Sequence, residues 1–205
     1  MHQTRQETSA KIPIERKGTK YVARARSHID SAVPLVIAVR DMLHLAKTAQ
    51  EVREMIKQKA LKINGRVVVS LNESLQLFHI LHADKDYELV LSSSGKFMFH
   101  EHKKKGRLTK VISRRLVKGK KLQLNLHDGT NSIGKADIKI GDSLYLDQAN
   151  KVISHVSLTK GSQVLIMTGS YTGQEGKITQ HSKDKVHLTI DKKEVVLPIT
   201  SVVAQ

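Results

Sequence analysis

Three sets of residues in this 205-residue chain have types and spacing that could do chemistry. The segment GTNSIGKA, Gly129 to Ala136, matches a G-x-x-x-x-G-K phosphate loop, but Ala136 stands where nucleotide hydrolysis needs a Ser or Thr to hold magnesium. The following ADIKIGDSLYL alternates like a strand, so no helix N-terminus is on hand to receive phosphate, and a hairpin turn is the better account. Eleven histidines form the second set. His79 with His82 and His100 with His102 are paired in sequence, yet no carboxylate sits beside them in a pattern such as H-E-x-x-H, and two ligands do not make a metal site. They read as surface or phosphate-contacting histidines. Asp84 and Asp86 lie in a polar turn without a partnered acid or base. The chain has no cysteine, which excludes disulfides, thiolate catalysis and cysteine-ligated zinc. No catalysis, metal, cofactor or small-molecule substrate is expected.

The third set is the cations. Thirty-five Lys and Arg against nineteen Asp and Glu give a net charge of +16. Residues 1–70 carry 14 cations against 6 carboxylates, residues 101–121 carry 10 against 1, and the rest is balanced. Two concentrated blocks on a balanced chain read as two contact surfaces for a polyanion. Aromatic residues make up only 3% and do not cluster in a basic stripe, which argues against single-strand binding by base stacking. The expected ligand is a folded, phosphate-rich nucleic acid read by backbone and shape.

The elements that must position these cations follow from periodicity. Thr48 and Glu51 form a T-x-x-E capping box, and Val52, Met55, Ile56 and Ala60 share one helical face behind it. LKINGRVV then alternates around Asn64-Gly65, the dipeptide that best tolerates a tight hairpin turn. Upstream, Pro34 suits a first helical turn, with Leu35, Ala38, Val39, Met42 and Leu43 on one face. Residues 1–30 read either as an extended basic arm that orders on binding or as a frayed terminus. Beyond Ser70, YELVLSS, GKFMFHEH, RLTKVISRRLV, KLQLNLHDG, DIKIGDSLYLD and KVISHVSL read as short strands of an all-β unit. About five more strands in 160–205, with Gly161, Gly169, Gly173 and Gly176 between them, suit a small closed barrel. The longest apolar run, AVPLVIAV, has eight residues against the ~20 a spanning helix needs, and the N-terminus has no apolar core, so neither membrane segment nor signal peptide is expected.

RDMLHLAKTAQEVREMIKQKALKINGRVV, Arg40 to Val68, resembles the small RNA-binding domain first defined in bacterial ribosomal protein S-four, with its Ala-x-T-x-x-E, basic helix and N-G hairpin. The final segment is similar to the KOW motif of ribosomal and transcription elongation proteins. In order, the basic IERKGTKYVARA, this domain, a β region with LHDGTNSI, and the last segment resemble the archaeal and eukaryotic small-subunit ribosomal S-four-e family over nearly the whole chain. The family's H-x-K-R start survives only as His2, Thr4 and Arg5, and Lys59-Ala60 replaces the hairpin's usual leading glycine.

The resemblance implies an α+β multi-domain protein: a basic N-terminal arm over 1–30, an S-four-type RNA-binding domain of helices plus a β-hairpin over 31–90, a central all-β domain over 91–158, and a C-terminal SH3-like KOW β-barrel over 159–205. It implies a structural constituent of the small ribosomal subunit, cytoplasmic and ribosome-associated, whose partners are ribosomal RNA and neighbouring small-subunit proteins, with no membrane. Residues expected at the RNA are Arg40, Lys47, Thr48, Arg53, Lys57, Lys62, Asn64, Gly65 and Arg66 on one platform. Lys103, Lys104, Lys105, Arg107, Arg114, Arg115, Lys118, Lys120 and Lys121 form the other, and Arg16, Lys17, Lys20, Arg24 and Arg26 the arm. The alternative is a KOW-containing transcription elongation or RNA-modification accessory factor.

Overall fold

The computed structural model describes residues 2–103, 106–119, 121–134, 137–182, 185–190 and 193–205. The chain is mostly β and divides into two compact units, Met1–Ser92 with Lys96–Lys103, and Ser93–Gly95 with Lys104–Gln205.

The first unit opens with a hairpin-like pair, His2–Thr4 antiparallel to Tyr21–Ala23. The segment read as an extended arm is thus folded back on itself, and Ile12 and Ala25 are buried, so apolar side chains spaced too widely to show a period hold it in place. Ala32–Pro34 is a strand paired with Ser74–Gln76, followed by a short α-turn, Leu35–Ile37, and a π-type turn, Ala38–Met42. This replaces the single helix expected there. Residues Ala32 to Val39 are all buried, so their apolar run carries no amphipathic period from which a helix start could be placed. The second helix, Ala49–Lys57, leads into a five-stranded antiparallel sheet in the order Arg66–Val67, Lys62–Ile63, Ile80–His82, Asp86–Leu91, Phe97–Glu101. The last strand was expected in the central region. A tight turn at Ser93–Gly95 instead folds it back on its predecessor, with Leu91 opposite Phe97 and the Ser92 N–H donating to the Lys96 carbonyl at 2.8 Å.

The second unit holds two five-stranded antiparallel sheets. One runs Asn131–Gly134, Lys121–Leu126, Arg107–Val117, Ser143–Leu146, Val152–Val156 and encloses Val111, Leu124, Leu126, Ile138, Leu144 and Leu146. The other runs Lys193–Pro198, Lys185–Ile190, Glu175–His181, Gln163–Ile166, Val202–Ala204 around Val164, Ile166, Ile178, Val186, Leu188 and Val202. Val186, Leu188 and Ile190 alternate with outward residues, the period of a half-buried strand. In DIKIGDSLYLD only Ser143–Leu146 is strand, because Gly141 at φ 97° turns the chain before it. The phosphate-loop look-alike is a turn and an edge strand: the Gly129 N–H donates to the Leu126 carbonyl and residues 131–134 pair with Lys121–Leu126. Its Lys135 and Ala136 lie outside the described residues.

Candidate nucleic-acid interface

The helix that carries the first cations is closed at both ends by its own sequence. The Thr48 hydroxyl accepts from the Glu51 N–H at 3.2 Å, and the Glu51 carboxylate accepts from the Lys47 N–H at 2.8 Å and the Thr48 hydroxyl at 3.1 Å. These bonds, the Lys47 amide first, hold the Glu51 carboxyl below its ordinary pKa. Thr48 is therefore a cap whose side chain is used within the helix. At the other end Lys59 adopts a left-handed φ of 57°, and the Lys59 and Ala60 N–H groups donate to the Ile56 and Met55 carbonyls at 3.0 Å each, a Schellman closure with lysine where glycine is the usual choice. Ala60 falls past this stop and is exposed, off the buried face assigned to it, while Val52 is fully buried. Arg53 and Lys57 stay exposed, Lys57 beside Glu54 at 2.8 Å.

Asn64 and Gly65 take φ values of 51° and 84°, the paired left-handed conformation of a two-residue hairpin. The Asn64 side chain accepts from the Ile80 N–H at 2.9 Å, so it pins the hairpin to the next strand. Lys62 and Arg66 point outward, Arg66 to Glu73 at 3.0 Å.

Beside the helix, the first unit contains a groove of about 1210 Å³. Arg40, Lys47 and Arg53 line it together with Lys17 of the N-terminal segment, so cations from two separate stretches of the chain share it. Arg5 and Tyr21, which the pairing of His2–Thr4 with Tyr21–Ala23 brings in, line it too, as does His44 between Arg40 and Lys47; none of the three was expected at the RNA. Of the groove's two acidic residues, Glu15 is exposed and Asp41 is taken up by Arg40 in a bidentate pair at 2.7 and 2.8 Å. The Arg5 guanidinium donates to the Thr19 carbonyl at 2.8 Å and to the Glu15 carbonyl, bracing the loop that carries Lys17. Arg16 and Lys20 line a second recess with Lys96; Arg26 is exposed and Arg24 half-buried.

The second block is divided. Arg115, Lys118 and Lys121 are exposed, Arg114 is exposed with a 2.8 Å bond to the Ile138 carbonyl, and Lys103 lies beside Glu101. Lys104, Lys105 and Lys120 lie outside the described residues. Arg107, expected at the RNA, is only 3% exposed: its guanidinium is paired with Asp128 and donates to Thr130 at 3.0 Å and Asn150 at 2.6 Å, so it cannot reach a phosphate. Lys110 is 2% exposed and donates to the carbonyls of Ile199 and Val202; burial pushes its pKa down to about 8. The histidines also differ from expectation. His82 lies 2.5 Å from Asp86 and His102 2.9 Å from Glu88, because cross-strand register supplies the carboxylates that spacing along the chain did not. Among the described residues no group of three or more His, Asp or Glu is placed to hold a metal, and no helix is long and apolar enough to cross a membrane.

Fold and surface together define a basic, mostly β protein with exposed cations in both of its units. Residues 83–153 match the family model described as Ribosomal family S4e. The chain is 32% identical over 188 residues to the small ribosomal subunit protein eS4 of Archaeoglobus fulgidus, covering 88% of this chain and 80% of that one. It is 30% identical over 189 residues to the eS4 of Halobacterium salinarum, covering 87% and 81%. The crystal structure of the 30S ribosomal protein S4e from Thermoplasma acidophilum shares the fold, with a TM-score of 0.71, 23% identity, and coverage of 85% of this chain and 95% of that one. The chain belongs to the S4e family of ribosomal proteins. This is a family of structural, non-enzymatic proteins, and the elongation or modification alternative finds no support in these relatives.

Proposed function

We propose that this chain is built into the small ribosomal subunit, where it binds and stabilises folded ribosomal RNA through basic surfaces and performs no catalysis. The observation that carries the reading is the groove of the first unit, where Lys17, Lys47 and Arg53 face solvent beside Arg40. Such an array neutralises phosphates and tracks backbone shape, the mode by which proteins bind structured RNA. The capped helix and hairpin serve as an S-four-type RNA-binding domain, the sheet around Leu124 as a central β domain, and the sheet around Val186 as an SH3-like KOW barrel. The exposed Arg114, Arg115, Lys118 and Lys121 form a second contact. Ribosomal RNA and neighbouring small-subunit proteins are the partners, and the protein works in the cytoplasm on the ribosome.

Sedimentation of cell extract through sucrose gradients at low and then moderate salt, with the protein located by immunoblot, tests this. Cosedimentation with the small subunit that persists at moderate salt is expected. Retention at the top of the gradient under both conditions overturns the reading.

A further inference from the structure

The groove contains more than cations. Tyr21, on its wall, is 52% exposed, unusual for a large aromatic side chain in a chain whose other tyrosines are half-buried. Two polar neighbours are placed against it: the ring meets His2 edge-on, with centroids 4.9 Å apart at 70°, and the exposed Lys20 ammonium lies 5.5 Å from its centroid. A cation over the ring marks a π-face accessible from solvent, and a long lysine head is readily displaced. His44, on the same groove, gives a second observation. It holds a left-handed φ of 54° just past the π-type turn, a position where glycine is the least strained choice, and its imidazole is exposed. A planar, hydrogen-bonding side chain is kept there at a conformational cost.

An uninterrupted RNA duplex keeps its base faces stacked inside, so the ring face of an aromatic side chain meets a base only where a nucleotide is unpaired. The groove, at about 1210 Å³, exceeds the 300 to 1,000 Å³ typical of small-ligand pockets, so it admits a nucleotide with its flanking phosphates. We infer that this groove takes an unpaired nucleotide of RNA, its base against Tyr21 beside His44 and its phosphates against Lys47 and Arg53. The inference rests on the RNA-binding reading above and names the RNA feature that site selects: a bulge or loop next to a stem. It also narrows the expectation, drawn from the scarcity of aromatics, against single-strand binding by base stacking, because one well-placed ring suffices for one base.

The test measures binding of the full chain, by fluorescence anisotropy, to two RNA stems of identical sequence, one fully paired and one carrying a single bulged 2-aminopurine. The bulged RNA is expected to bind about tenfold more tightly, with quenching of the 2-aminopurine. Tyr21→Leu should erase that preference, and Tyr21→Phe, which keeps the ring, should retain it. Equal binding of the two RNAs by the unaltered chain, or a preference that survives Tyr21→Leu, overturns the inference. If both RNAs bind equally and both weaken with salt and in Arg53→Glu, only the base-stacking inference falls. If neither binds, the RNA-binding reading falls with it.

Discussion

The cations of the helical platform and those of the strand Arg107–Val117 occupy opposite environments. On the platform, Arg53 and Lys57 are exposed on a helix whose inner face needs only Val52 fully buried, and Lys47 is exposed just before its cap. In the strand, the first five residues, Arg107 to Val111, are all buried, and only the second half emerges. A strand covered on both faces has nowhere to send a charge, so Arg107 is matched to Asp128 and Lys110 to backbone carbonyls. The lesson is that a block of positive sequence becomes surface only where the element leaves one face to water. The platform's cations are available to a ligand, while those at the start of the strand are part of the fold.

The largest effect that separates the two regions is on stability. Arg107→Ala leaves the buried Asp128 carboxylate without its guanidinium, and breaking a buried pair from one side costs about 3 to 5 kcal/mol. Urea unfolding of the full chain is the measurement, and a loss below 1 kcal/mol would break the distinction, since it would mean Arg107 is no more structural than a surface cation. Lys110 gives a pH signature next in size. Its pKa is about 8 in the folded chain against 10.5 ordinarily, because burial disfavours the charge. Between those values the unfolded chain binds a proton that the folded chain does not, so stability rises with pH from about 8 to 10.5, by up to about 3 kcal/mol, and the burial penalty is present in full below pH 8. Lys110→Met should lack this rise. Parallel stability curves for the two chains over that range would show that the ammonium is not desolvated as its position implies.

These residues also show where sequence reading stops. The capping box and the Asn64-Gly65 turn were legible because each depends on residues within four positions of one another, and the alternation of Val186, Leu188 and Ile190 was legible because half-buried strands repeat every two residues. The burial of Arg107 was not, since Asp128, Thr130 and Asn150 reach it through tertiary structure and nothing in RLTKVISRRLV distinguishes its first arginine from its later ones. The same holds for the groove. Arg40, Lys47 and Arg53 were read from the helices around them, whereas Arg5 and Tyr21 join only when the N-terminal segment folds back, a closure set by scattered residues such as Ile12 and Ala25. The pairings of His82 with Asp86 and His102 with Glu88 depend on strand register in the same way.

On the platform the expected effects move from stability to binding. Arg53→Glu should change the unfolding free energy by no more than about 0.5 kcal/mol, as for an exposed side chain away from packed structure. Its affinity for structured RNA should fall, and the slope of log K against log salt should flatten by about 0.7 to 0.9, because one fewer phosphate is neutralised. Lys57→Glu should do less, because Lys57 already lies against Glu54 at 2.8 Å. Affinity titrations at several salt concentrations check both. An unchanged slope in Arg53→Glu removes the helix from the interface and leaves the platform's exposed cations as ordinary solvation.

The smallest effect is the sharpest test of what a platform cation is for. Lys59 is exposed and basic, yet its backbone at φ 57° closes the helix in a conformation that strains any residue bearing a Cβ. Lys59→Gly therefore removes a charge and relieves that strain together. The gain is offset by the greater freedom of glycine in the unfolded chain, leaving a net stabilisation of about 0.5 to 1 kcal/mol. If urea unfolding shows this gain and RNA binding weakens with a salt slope flatter by one phosphate, the lysine is held at the cap for its charge, against the preference of the backbone. If stability rises and affinity does not move, Lys59 belongs to the helix stop alone, and the binding surface of the platform narrows to the groove lined by Lys47 and Arg53.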